Sequence, residues 1–384
     1  MVDTIKGKKL NKGEWAEFYV LLKLLGDGRL YTADKLLRKN LENYLDIIRV
    51  IRQEMDSFTL DYIVNKDKNM VLIKTDSEEL ARIPMSDFRR NAVDLFQGIK
   101  DLKGNSIPAP DSVCEFARVI YVSKPKAPAV KTLKKMFGGK NDIFIEVRDG
   151  QTSIVSIMGF SIKSKFGQNP TLFNAGSSSQ FLYKLSNCDD EKMKVFNDIT
   201  DDDDASKRGW EKCKQYIRDN NIKINFVRTQ NPIYDANMFL VRESMSKIMA
   251  WCVEDRLISS QSDHNVKETV ERMVEENPLK VSNPEVYYEK AIKDFLMASF
   301  TGMTAGKQWD GKEQVSGGYI VVMENGDVLC YHSADRESFR DYLYKNTHFE
   351  YVSAKKYLWS YIFEDGGEYY LPLNISVRFN SKTR

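Results

Sequence analysis

The sequence predicts a mixed α/β protein of the α+β kind, with helices and strands interleaved along the chain. Three observations carry this. A capped amphipathic helix pattern occupies residues 11–25. Two glycine-containing turns, at Asp149 and Gly150 and at Asn325 and Gly326, each lie between runs rich in β-branched and aromatic residues, which is a hairpin signal. Helical periodicity fills much of residues 207–299, after which the chain returns to β patterning.

Taken in order, Asn11 caps the first helix, and Glu14 stands three positions later as in a capping box. Trp15, Tyr19, Leu22 and Leu25 form its apolar stripe, and "GDG" at 26–28 ends it. A second helix is expected over 33–54. Residues 58–84 alternate as strands around the turn "NKDKN", and 86–102 read as a helix. "GNSIPAP" (104–110) and "SKPKAPAV" (123–130) read as loops. The hairpin "DIFIEVRDGQTSIVSIMGFSIKSK" spans 142–165. A polar loop follows, and 181–186 suit a strand or a short helix. Helices are expected at 207–219, 237–257, 266–275 and 284–299. A hairpin covers 317–333, a helix 335–345, and a strand 369–379. In that last strand Leu373, Ile375, Val377 and Phe379 take one face, and Asn374, Ser376 and Arg378 the other.

Composition narrows the function classes. The 384 residues are 42% hydrophobic and 29% charged, enough for two or three domains or one large elaborated one. No apolar run is long enough to cross a bilayer, and "MVDTIKGKKLNKGEW" lacks the apolar segment of a secretory signal. Five scattered cysteines without metal-ligand spacing suit reduced thiols and a cytoplasmic protein. Three histidines argue against a His-based zinc site or a His-dependent triad. Net charge is +2, so phosphate binding would depend on local patches, such as the four lysines of "KTLKKMFGGK" (131–140). The aspartate run in "ITDDDDASK" reads as a solvated loop. "TGMTAGKQ" resembles a P-loop in outline, but its glycine spacing is one short and Gln308 replaces the Ser or Thr.

One constellation could carry chemistry. Asp142 opens the first strand of the 142–165 hairpin and Lys163 closes the second, so folding back brings them to one end of the sheet. Ser161 shares the face of Lys163. Phosphodiester cleavage needs a divalent ion, and Mg²⁺ is satisfied by one or two carboxylates and several waters. A nearby lysine orients or deprotonates water and offsets charge developing on phosphate. Ser161 supplies no charge, so a second carboxylate must come from elsewhere. Glu14 is accounted for as a cap, which favours Glu17 on the same helix; Glu146, on the face of Asp142, is the other candidate. Each residue also has an ordinary explanation: a strand-terminal lysine is commonly solvated or snorkelling, and Asp142 suits a turn.

The pattern of Asn141 and Asp142 followed by Ser161, Ile162 and Lys163 on a hairpin resembles the PD-(D/E)XK nuclease signature. "NKGEWAEFYVLLKLLGDGRLY", "GFSIKSKFGQNPTLFNA" and "LNISVRF" resemble more closely the HpaII-like type II restriction endonucleases, over most of the chain. The resemblance implies a PD-(D/E)XK core, αβββαβ, with a mixed central sheet flanked by helices and with helical and β-rich insertions. It implies a Mg²⁺-dependent enzyme that cuts double-stranded DNA at a short palindrome, CCGG, leaving 5′-phosphate and 3′-hydroxyl ends. Ser161 departs from the pattern, where an acid is usual. Some members draw that carboxylate from the first core helix, and Glu17, four residues after Gly13, is similar to that arrangement. Asp142, Glu17 and the main-chain carbonyl of Ile162 would then hold the ion, with Lys163 and Ser161 beside it.

Residues 1–110 would contain the first core helix and an insertion, 111–200 the catalytic core, 201–300 a helical region, and 301–384 a β-rich region for DNA readout. Lys131, Lys134, Lys135, Lys140 and Lys165 are expected at phosphates. Gln168, Asn169, Asn174, Ser177 and Ser178 form a loop suited to a groove. His332, Arg336, Arg340, Lys356, Asn374, Ser376 and Arg378 are candidate base readers, since a G·C-rich target favours arginine or lysine on guanine. A palindrome suits a homodimer, although a monomer nicking each strand in turn would also serve. A cognate DNA methyltransferase would act on the same site. Two other readings are a structure-specific or repair nuclease, separable by assays on branched DNA, and a DNA-binding module with a decayed nuclease site, separable by incubation with plasmid and Mg²⁺.

Overall fold

The computed structural model describes residues 5, 7–34, 38–54, 58–101, 104, 106–126, 130–137, 141–166, 171–202, 207–259, 264–312, 317–332, 336–351 and 360–380. The chain forms two compact units, each drawn from two stretches: Met1–Pro170 with Glu313–Phe339, and Thr171–Lys312 with Arg340–Arg384. Both mix helix and sheet.

In the first unit, the helix Lys12–Asp27 carries the expected capping box. The Glu14 N–H donates to Asn11 Oδ1 at 2.9 Å, and the Asn11 N–H donates to Glu14 Oε2 at 3.0 Å. Gly28 ends the helix in the left-handed region, φ 68°, and its N–H donates to Leu24 O. Burial extends well beyond the predicted stripe: Trp15, Ala16, Phe18, Val20, Leu21, Leu22 and Leu25 are all inaccessible. The helix is covered by the sheet and by the helix Met85–Asp101, so its buried face is wider than a single apolar stripe.

The sheet has nine strands among the described residues. Their order is Arg29–Ala33, Val328–His332, Gly318–Val322, Val155–Ser164, Ile143–Asp149, Lys39–Glu54, Phe58–Asn65, Met70–Lys74 and Glu79–Pro84. It is mixed: Gly318–Val322 runs parallel to Val155–Ser164, whereas Ile143–Asp149 is antiparallel to it.

The long strand Lys39–Glu54 corrects the helix expected over 33–54. Leu45, Ile47 and Val50 all face the main core, a spacing of two and then three. The register shifts between Ile47 and Arg49 against the neighbouring strand, and this extra residue breaks the alternation. A bulged strand thereby imitates helical spacing.

The hairpin forms as predicted, but the connection is longer than a two-residue turn. The Asp149 N–H donates to Ile154 O at 3.0 Å, and Asp149 Oδ1 accepts from the N–H groups of Gln151 and Thr152. On the second strand Met158, Phe160 and Ile162 meet the main core. Ile157 joins a smaller cluster with Ile51, Val130, Phe144 and Leu133. Side chains alternate, so Gly159, Ser161 and Lys163 share the face of that smaller cluster.

In the second unit, a four-stranded sheet runs Lys223–Thr229, Phe181–Ser186, Glu368–Leu373, Phe363–Asp365, and a three-stranded sheet runs Thr171–Phe173, Ile375–Phe379, Thr347–Tyr351. The expected strand 369–379 is therefore two strands in two sheets, divided at Asn374. The helix expected at 237–257 is also two, Pro232–Val241 and Met245–Leu257. Asn231 caps the first of these. The break falls where Arg242 lies over the Tyr287 ring, 4.7 Å from its centre, and Ser244 Oγ meets Tyr287 Oη at 2.7 Å. Asp201 and Asp202 end the helix Asp190–Asp202 rather than lying in a loop; the rest of the aspartate run lies outside the described residues. Helices Lys207–Asp219, Val266–Glu276, Pro284–Thr301 and Arg336–Lys345 lie where periodicity predicts them. No helix among the described residues is long and apolar enough to cross a membrane.

Candidate active site

Asp142 immediately precedes the strand Ile143–Asp149, and both ends of the residue are tied to the next strand. Its N–H donates to Phe160 O at 2.8 Å. Its Oδ2 accepts from Ser161 Oγ at 3.0 Å and from the Ile162 N–H at 2.8 Å. This close tuck depends on Gly159, because a Cβ there would lie 2.4 Å from the buried Asn141 side chain. Ser161 and the Ile162 N–H thus hold Oδ2 of the aspartate and leave Oδ1 outside this pair of bonds.

Glu17 lies one turn beyond the capping box, on the face of the first helix turned toward Asp142. Its side chain is 13% exposed. Oε1 accepts from Lys126 Nζ at 3.1 Å, whereas Oε2 is buried with no hydrogen-bond partner. Burial raises the Glu17 carboxyl to about 7, the Asp142 charge adds to the rise, and Lys126 opposes it. Lys126 Nζ also lies 4.0 Å from Asp142 Oδ1. Two carboxylates therefore converge on one cation, and the second oxygen of Glu17 is left unsatisfied. Such hard oxygen donors suit a hard divalent ion. Among the described residues, no group of three or more His, Cys, Asp and Glu side chains is arranged for a metal.

Lys163 is half-buried on the Ser161 face, beside Val321 of the parallel neighbour. The other two glutamates are committed elsewhere. Glu14 closes the capping box, and Glu146 Oε2 accepts from Arg49 Nε at 2.5 Å, with Arg49 also bound to Asp61. Lys126 was not a candidate from the sequence. It sits in a proline-containing loop far along the chain from Glu17, and no local pattern marks it.

The proposed DNA contacts separate into groups. Lys131 and Lys135 are exposed on the helix Lys131–Phe137, which seats Leu133 in the cluster on the Ser161 face. Lys165 is half-buried, and burial lowers its ammonium below the usual lysine range. In the second unit Asn174 and Ser177 are exposed and Ser178 is half-buried. Arg336 is exposed.

Asn374 and Ser376 are buried rather than lying on a solvent-facing strand. Asn374 Nδ2 donates to Gly176 O at 2.7 Å and its Oδ1 accepts from Ser179 Oγ. Ser376 Oγ accepts from the Ala175 N–H. Arg378 pairs with Glu350 and Arg340 with Asp294. Lys140, Gln168, Asn169 and Lys356, and the side chains of Lys134 and His332, lie outside the described residues.

The family model for the HpaII restriction endonuclease matches residues 11–379. The type II restriction enzyme HpaII of Haemophilus parainfluenzae is 31% identical over 371 residues, covering 96% of this chain and 98% of that protein. No solved structure matches. A match of this extent, over a chain whose acids converge beside two central strands of a mixed sheet, defines a site-specific nuclease, a hydrolase of the type II restriction class. The chain belongs to the HpaII restriction endonuclease family.

Proposed function

We propose that this protein is a Mg²⁺-dependent endonuclease with a PD-(D/E)XK core that cuts double-stranded DNA at a short palindrome, CCGG, as a homodimer. The observation that carries the reading is the convergence of Glu17 and Asp142 on one cation next to the strand bearing Lys163. In this reading Glu17 replaces the acid missing at position 161. Asp142 and Glu17 hold the ion, with the carbonyl of Ile162 as a third donor. A bound divalent ion would polarise a phosphate oxygen and lower the pKa of a water. Ser161 and the Ile162 N–H fix Asp142, so the aspartate need not reorganise during the reaction. Lys163 orients the attacking water and offsets charge on the phosphate. Exposed Lys131 and Lys135 suit phosphates, and among the described candidates Asn174, Ser177 and Arg336 are exposed and suit base contacts. A cognate methyltransferase would protect host DNA at the same bases.

The test is digestion of a sequenced plasmid with Mg²⁺, mapped to the nucleotide. Discrete fragments ending at CCGG with 5′-phosphates are expected. Lys163→Ala is expected to lower cleavage by about 10²–10⁴-fold with DNA binding retained. Cleavage at the wild-type rate by that variant overturns the role of Lys163, and fragments ending elsewhere overturn the target.

A further inference from the structure

The segment that delivers Lys126 rests on a buried ion pair. Arg52 and Glu54 are 3% and 2% exposed, and Arg52 Nε donates to Glu54 Oε1 at 2.8 Å. Their remaining capacity is directed at one short stretch of chain. Glu54 Oε2 accepts from the Ser123 N–H at 2.9 Å and from its hydroxyl at 2.7 Å, and Arg52 Nη2 donates to Lys124 O at 2.9 Å. A buried charge pair is tolerated when its spare lone pairs and protons are bonded, and here the loop supplies the partners. The strand Lys39–Glu54 thereby fixes the stem of the loop, and Lys126 follows directly, with its ammonium on Glu17 and 4.0 Å from Asp142.

We propose that Lys126 is a built-in competitor for the divalent ion. Its ammonium neutralises the Glu17 and Asp142 pair in the metal-free chain and gives way when the ion binds. The inference rests on the reading of those two acids as metal ligands. Three features support it. An ammonium and a dication repel and cannot share one pair of carboxylates. The ammonium is an incomplete substitute, because Glu17 Oε2 stays without a partner. The Lys126 side chain is 58% exposed, so it can swing into water while its stem stays fixed. Metal-free protein thus keeps its acids compensated, at the cost of weaker metal binding.

The experiment is titration of Mn²⁺ into the full-length, DNA-free protein, followed by electron paramagnetic resonance, with folding checked by circular dichroism. Lys126→Met is expected to tighten Mn²⁺ binding by about tenfold, and Lys126→Arg to stay near wild type. Glu17→Ala is expected to weaken it. If Lys126→Met binds Mn²⁺ no more tightly than wild type while Glu17→Ala still weakens it, the competition is overturned and the ligand assignment stands. If Glu17→Ala leaves Mn²⁺ binding unchanged, the ligand assignment falls and the competition falls with it.

Discussion

Glu14 and Glu17 lie on the same helix, three residues apart, and their surroundings differ completely. Glu14 exchanges hydrogen bonds with Asn11 at the exposed helix start. Glu17 is largely but not fully buried, faces Asp142 and retains an unpartnered oxygen. Their alanine variants should therefore separate. Glu14→Ala is expected to cost about 1 kcal/mol in chemical denaturation, with cleavage per folded molecule unchanged. Glu17→Ala is expected to lose cleavage by at least about a hundredfold, with little loss of stability, since removing it relieves a buried and repelled carboxylate. The reverse pattern would move the chemistry to Glu14. Ser161 belongs to the same scale: it adds no charge to the site, but its hydroxyl and the next N–H hold one oxygen of Asp142 in place.

At the scale of elements, the hairpin positions the site through its packing more than through its turn. The Asn141 side chain lies over Gly159, which leaves no room for a Cβ, and Asn141 directly precedes Asp142. Gly159→Ala is expected to destabilise the protein by about 1–3 kcal/mol in thermal or chemical melts and to reduce cleavage in the surviving folded fraction. Unchanged melting and activity would show that the hairpin relaxes around the extra methyl group. The strand Lys39–Glu54 teaches a complementary lesson. Its two ends serve different purposes: Leu45, Ile47 and Val50 fill the main core, while Arg52 and Glu54 hold the loop that carries Lys126. The bulge that hid this strand from its sequence pattern is also what changes which residues face each side.

For the whole molecule, the proposed palindromic target makes a statement about assembly. A homodimer presents one site to each strand and cuts both in one encounter. Supercoiled plasmid carrying one CCGG site should then pass to linear form with little open circle, and sedimentation at working concentration should give twice the mass of the chain. Accumulation of open circles with a monomeric mass would favour sequential nicking. The site itself lies within the unit built from Met1–Pro170 and Glu313–Phe339. The sequence alone determined the first helix and its caps, the two hairpins, the helices Lys207–Asp219, Val266–Glu276 and Pro284–Thr301, and the shared face of Ser161 and Lys163. Each of these is written in hydrogen bonds or periodicity within a few neighbouring residues. Only the tertiary structure decided that residues 39–54 form a bulged strand, that Asn374 and Ser376 are buried, and that Lys126 stands on Glu17 and Asp142. Those outcomes depend on sheet register and on charges brought together from distant parts of the chain, where local pattern carries no signal.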